Sequence, residues 1–137
     1  MDLVVERALQ HLLVDLSKRS LISSAHDCSE GGVAVAISEA LFVSDERFGV
    51  TIDRYVNPQL RFDFSLFGET QSRVIISANP GRLDDVLDLA SSRGVPATVI
   101  GSVSGSGHIK IGSEISISVR SAEETYRSAI PKAVGEV

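Results

Sequence analysis

The most constraining feature of this sequence is a pair of glycines, Gly31 and Gly32, opening onto an almost uninterrupted apolar run through Phe42. With Val33, Ala34, Ile37, Ala40 and Leu41, the periodicity predicts a helix over residues 33–42 that is apolar around most of its circumference. Such a helix has to be buried. The flanking segments supply the elements that would bury it. Residues 3–19 read as an amphipathic helix with Leu9, Leu12, Leu13 and Leu16 as its stripe. Residues 20–25 read as a short strand running into a polar turn at 26–32. Strands are expected at 48–52, 72–78 and 98–103, a turn at Asn57-Pro58, and a helix or loop at 60–66. Asn79-Pro80 with Asp84 and Asp85 starts a helix that Gly94 and Pro96 stop near Arg93. Residues 107–119 alternate as a hairpin about Gly112-Ser113. Ser121-Ala122-Glu123-Glu124 reads as a capping box for a last helix that Pro131 limits, with residues 132–137 loose. The expected fold class is α/β (α+β): one domain over residues 1–137, with helices packed on a mixed sheet.

Composition excludes several functions. The formal charge is −5 and no Lys/Arg cluster interrupts it, which argues against phosphate-driven nucleic-acid binding. The apolar runs are too short and too charged for a membrane span. The first residues lack the pattern of a signal peptide. A single cysteine, Cys28, rules out an internal disulfide and fits a reducing cytoplasm.

Two stretches carry the chemistry. The first is Ser24-Ala25-His26-Asp27-Cys28-Ser29-Glu30-Gly31-Gly32-Val33. A helix N-terminus exposes unpaired N–H groups and partial positive charge, and glycine lets a phosphate or carboxylate approach closely. Ser29 is placed to cap the helix or donate to an anion, and Asp27 to orient a ligand. The competing reading is structural: Gly31 and Gly32 permit a tight turn, and His26 and Asp27 pair at a strand end. A Ser-His-Asp triad is not expected, because neighbours on an extended chain face opposite ways. Cys28 has no evident base to activate it. The second stretch is Phe67-Gly68-Glu69-Thr70-Gln71-Ser72-Arg73. Alternation would send Glu69, Gln71 and Arg73 to one side, and Arg73 offers a planar fork for phosphate or carboxylate. Its structural alternative is a surface Arg–Glu pair. His11 and His108 read as surface residues. Neither zinc spacing nor a genuine phosphate loop is evident, the latter because Gly101–Gly107 lacks a following helix and lysine.

Together, "AHDCSEGGVAVAISEALF" and "FGETQSRVIISA" resemble the C-terminal, AIR-synthase-like domain of phosphoribosylformylglycinamidine synthase (formylglycinamide ribonucleotide amidotransferase) in its small multi-subunit form. The family patterns are close to H-D-x-S-x-G-G-L-x-x-A-L-x-E and F-G-E-S-Q-S-R. The resemblance covers nearly the whole chain. Here Thr70 replaces Ser, Cys28 and Val33 replace bulkier aliphatics, and Glu30 replaces a common Asp. The resemblance implies a piece of a synthetase subunit that is inactive in isolation. The full enzyme uses ATP and Mg²⁺, with ammonia derived from glutamine, to convert formylglycinamide ribonucleotide to its amidine. It implies as partners the remaining synthetase domains, a glutaminase subunit and a small assembly subunit, and it leaves a homodimer open. It implies substrate- or phosphate-binding roles for His26, Asp27, Ser29, Gly31, Gly32, Glu69, Thr70, Gln71, Ser72 and Arg73, with no metal ligand and no assigned catalytic residue. The substrate-gripping E-S-Q triplet is expected in the first half of the synthetase, making Glu69-Thr70-Gln71 its pseudo-symmetric counterpart. Two alternatives stay open. One is the C-terminal domain of another AIR-synthase-superfamily enzyme, such as aminoimidazole ribonucleotide synthetase or a hydrogenase-maturation protein. The other is an assembly module with no ligand of its own.

Overall fold

The computed structural model describes residues 2–44, 48–53 and 60–135. The expected turn at Asn57-Pro58 lies outside them. The elements run α1 (Leu3–Lys18), β1 (Ser24–Asp27), α2 (Gly32–Phe42), β2 (Gly49–Ile52), α3 (Phe62–Phe67) and β3 (Val74–Ser77). A 3₁₀ turn (Pro80–Arg82) and α4 (Leu83–Ser92) follow, then β4 (Gly101–Ser104), β5 (His108–Ile111), β6 (Ile115–Ser118) and α5 (Val119–Val134). No helix among the described residues is long and apolar enough to cross a membrane.

The strands form two sheets. β1 and β3 make an antiparallel ribbon in which Asp27 pairs with Val74 and Ser24 with Ser77. The other sheet has the order β4-β2-β5-β6 and is mixed: β2 runs parallel to β5 and antiparallel to β4, while β5 and β6 form the expected hairpin. Ordinary alternation explains why a two-stranded ribbon can persist here. Successive strand residues face opposite sides, so Ile75 packs on one apolar cluster and Ile76 on another. The first cluster joins Val33, Ala36 and Ile37 of α2 to Val50, Ile52, Ile109, Ile111 and Leu66. The second joins Leu12 and Leu16 of α1 to Leu21, Val86, Ala90 and Val95. The expected burial of α2 holds: Val33, Ala36 and Ile37 are almost fully covered.

Several boundaries differ from expectation, each for a local reason. α1 is capped by Asp2, whose carboxylate accepts from the Val4 and Val5 amides. Asn79 caps the 3₁₀ turn through Gly81 N, and α4 begins only at Leu83. α5 starts earlier than the expected capping box. Ser118, still extended at the end of β6, accepts from Ser121 N at 3.1 Å, and Glu124 pairs with Arg120 instead of folding back on the backbone. Pro131 does not stop α5, which continues to Val134 and closes on Gly135. The fixed φ of proline is compatible with a helix, and this turn is exposed, so water can serve the carbonyl that loses its partner.

Candidate functional site

β1 and β3 bring the two polar stretches together. Their ladder extends one step beyond the strands, where Cys28 N donates to Arg73 O at 2.9 Å. The turn between β1 and α2 then lies beside the segment joining α3 to β3. A hydrogen bond of 2.9 Å from Gly31 N to Glu69 Oε1 joins the two directly. Gly32 packs onto the end of α3: a Cβ there would lie 2.7 Å from Leu66 O and 2.9 Å from Gly68 O.

Within the first stretch, Ser29 donates to Asp27 Oδ2, and this bond holds the Asp27 carboxyl below the usual carboxylate range. Ser29 therefore does not cap α2 with its side chain. Its backbone carbonyl accepts from Gly32 N at 3.2 Å, and α2 has no side-chain cap at all. Its N-terminal anion is supplied internally by Glu69. His26 turns away from Ser29. Its Nδ1 lies 2.8 Å from Asp27 O, and its Nε2 lies 3.5 Å from Glu39 Oε2. His26 Nδ1 also lies 3.9 Å from Asp27 Oδ1, but no hydrogen bond joins His26 to Ser29, so no triad forms. Cys28 is buried, and burial pushes its thiol up despite the nearby Arg73 charge, so it stays protonated and unreactive at neutral pH.

The second stretch does not alternate as a strand. β3 begins only at Val74, and Ser72 sits at φ +59°, which breaks the extended course. The expected common face of Glu69, Gln71 and Arg73 is absent for that reason. Glu69 reaches Gly31, Ser72 donates to Glu6 Oε2 on α1, and Arg73 folds back to donate through Nη2 to Gly68 O. Thr70 and Gln71 are exposed at the tip. Three residues beyond the predicted site set bear on this region: Glu6, Glu39, which closes the first motif, and Tyr126. Glu39 accepts from the Tyr126 hydroxyl and faces His26, tying β1 and α5 to α2. It is the lone charged side chain in an apolar helix, and that was a legible signal. Glu6 and Tyr126 carried none, because their partners are remote in sequence.

The Glu6 carboxyl is held below its ordinary value of about 4.5 by Ser72 and then by Gln10. A depressed folded value stabilises above the unfolded value and is lost as pH falls through the folded one. Wild-type protein should therefore hold a stability advantage over Ser72→Ala near neutrality that shrinks as pH drops below about 4.5. Denaturant midpoints of both proteins across that window check it; a constant difference would refute the assignment.

As chemistry, the arrangement offers uncharged hydrogen-bonding groups at Thr70 and Gln71, the separate carboxylates of Asp27 and Glu69, and the His26 imidazole beside Asp27. Among the described residues, no group of three or more His, Cys, Asp or Glu is gathered to hold a metal ion. A triphosphate is poorly matched by these residues alone, since the Gly31 amide already meets a carboxylate and the Arg73 fork faces inward.

An antiparallel ribbon whose end joins a Gly-Gly helix start to a Glu-Thr-Gln loop thus defines an α/β domain with its two polar motifs at one junction. The chain belongs to the family described as AIR synthase related protein, C-terminal domain, whose profile matches residues 1–114. It is similar to phosphoribosylformylglycinamidine synthase subunit PurL of Moorella thermoacetica, 41% identical over 105 residues covering 77% of this chain and 14% of that protein. The same subunit of Cutibacterium acnes is 36% identical over 135 residues, 98% of this chain and 17% of that protein. The chain therefore spans less than a fifth of the length of these relatives. Its fold matches PurLQS from Thermotoga maritima with a TM-score of 0.76 at 20% identity, over 88% of this chain and 22% of that one. T. maritima PurL has also been solved in complex with FGAR and with ATP.

Proposed function

We propose that this chain is the C-terminal α/β domain of a phosphoribosylformylglycinamidine synthase synthetase subunit, and that it forms one wall of a ligand site completed by the rest of that protein. The parent reaction is an ATP-dependent C–N ligation: formylglycinamide ribonucleotide and glutamine-derived ammonia give formylglycinamidine ribonucleotide, in the cytoplasm. ATP and Mg²⁺ belong to the assembled enzyme and not to this domain alone. Partners are the remaining synthetase domains, a glutaminase subunit and a small assembly subunit. The exposed Tyr126, Ile130 and Val134 of α5 suit a neighbouring domain or a second copy.

The observation that supports this reading is the Gly31–Glu69 hydrogen bond, which joins two motifs separated by 38 residues. The groups left over for a ligand are Thr70 and Gln71. The chain alone should give no amidine, and robust turnover by it would end the reading. In the parent ligase, Thr70→Val and Gln71→Ala should each lower kcat/KM by about tenfold, the loss of one hydrogen bond worth roughly 1.4 kcal/mol.

A second reading is favoured by a separate observation. The two groups best suited to an anion, Gly31 N–H and the Arg73 guanidinium, are both engaged internally. This fits an assembly module with no ligand of its own. Unchanged kcat/KM in both variants, with weakened association between domains, would select it.

A further inference from the structure

Arg73 has the residue type of an anion binder, but its geometry assigns it a different task. Its backbone is fixed to β1 by the bond from Cys28 N, and its side chain turns back five residues to donate to Gly68 O. Its Nε is buried with no hydrogen-bond partner. An arginine that binds phosphate or carboxylate presents the face carrying Nε and an Nη outward as a fork. Here one of those donors is shut in and Nη2 is committed to the main chain.

The carbonyl it grips is at a crowded point. Gly68 ends α3, its amide donates to Phe64 O, and its own carbonyl lies against Gly32. The next residue, Glu69, carries the carboxylate that meets Gly31 N. Fixing Gly68 O therefore fixes the start of the residue that links the two motifs. At the far end, Ser72 is held in a left-handed conformation, unusual for a residue with a side chain, and its hydroxyl is tied to Glu6. The segment is pinned at Gly68, Glu69 and Ser72, and the exposed Thr70 and Gln71 lie between the pins.

We propose that Arg73 is a positioning residue that clamps the Gly68–Ser72 loop, so that Glu69 stays on the Gly31 amide and Thr70 and Gln71 are held outward as the contact groups. What the loop contacts rests on the function proposed above; the clamp is a property of this chain's own residues. Rigid support of this kind is what a site on a loop requires to keep its geometry.

Amide NMR of the 137-residue chain tests it without any ligand. In wild-type protein the bond to the Glu69 carboxylate should protect the Gly31 amide from hydrogen exchange, and Glu69→Ala should abolish that protection. Arg73→Met should cut the protection by about tenfold or more, as the loop leaves its single arrangement, and Arg73→Lys should restore most of it, because an ammonium can still donate to Gly68 O. Undiminished Gly31 protection in Arg73→Met would overturn the clamp. If Arg73→Met does not fold, the wild-type guanidinium decides. Its Nε–H should exchange with solvent at least about 100-fold more slowly than that of free arginine, and free-arginine exchange would overturn the proposal. Loss of ligand contact at Thr70 and Gln71 in the parent enzyme would leave all of these readouts unchanged, so the two ideas fail separately.

Discussion

Gly32→Ala is expected to destabilise the protein by about 2–5 kcal/mol, the sum of a left-handed backbone penalty of roughly 1–2 kcal/mol and an overpacking penalty of roughly 1–3 kcal/mol. Gly32 sits at φ +65°, where a side chain is already unfavourable. The added Cβ would also press on Leu66 O at 2.7 Å and on Gly68 O and the Phe67 carbonyl carbon at 2.9 Å. These are backbone atoms at the end of α3, so no rotamer change relieves the contact. Either α2 or α3 must move, and the Gly31–Glu69 bond spans the gap between them. Gly94 supplies the control. It has φ +66°, but a Cβ added there would meet nothing within 4 Å, so Gly94→Ala isolates the backbone penalty, about 1 kcal/mol after the stiffer unfolded chain is counted. Equilibrium denaturation of both variants measures the difference. Equal losses would mean that the crowding of Gly32 against α3 costs nothing.

That contrast also shows what the sequence could and could not disclose. The turn at Gly31-Gly32 and the buried helix after it were legible, because periodicity and glycine placement are local. So was the β5–β6 hairpin, whose alternation and turn lie within a dozen residues. Strand pairing was not legible: the division into a β1–β3 ribbon and a four-stranded sheet depends on contacts such as Asp27 with Val74, which no local pattern encodes. In the site, the two motifs were identifiable by residue type, but the directions of their side chains were not. Alternation predicted one face for Glu69, Gln71 and Arg73; a single left-handed residue, Ser72, cancelled it. The cap of α5 was misplaced for a similar reason, since Ser118 and Ser121 are both sensible caps and the end of β6 chooses between them.

Leu66→Ala should cost about 2–5 kcal/mol, the range for deleting a buried leucine when its surroundings collapse only in part. Leu66 is 1% exposed and belongs to the cluster of Val33, Ile37, Val50 and Ile109. Leu16 is equally buried but belongs to the other cluster, with Leu12, Val86 and Ala90. Leu16→Ala should therefore lose a similar stability, and the two variants should differ in a second respect. The Leu66 carbonyl is one of the atoms against Gly32, and Leu66 lies two residues before Gly68, so a cavity there loosens the floor of the motif junction. Under conditions where both variants remain folded, Leu66→Ala should weaken the hydrogen-exchange protection of the Gly31 amide, while Leu16→Ala should leave it at the wild-type level. Matching protection in the two would show that the junction is held by Arg73 and Glu69 without support from the core beneath it. A loss in Leu66→Ala alone would place the mechanical base of the site in the cluster shared by α2 and α3.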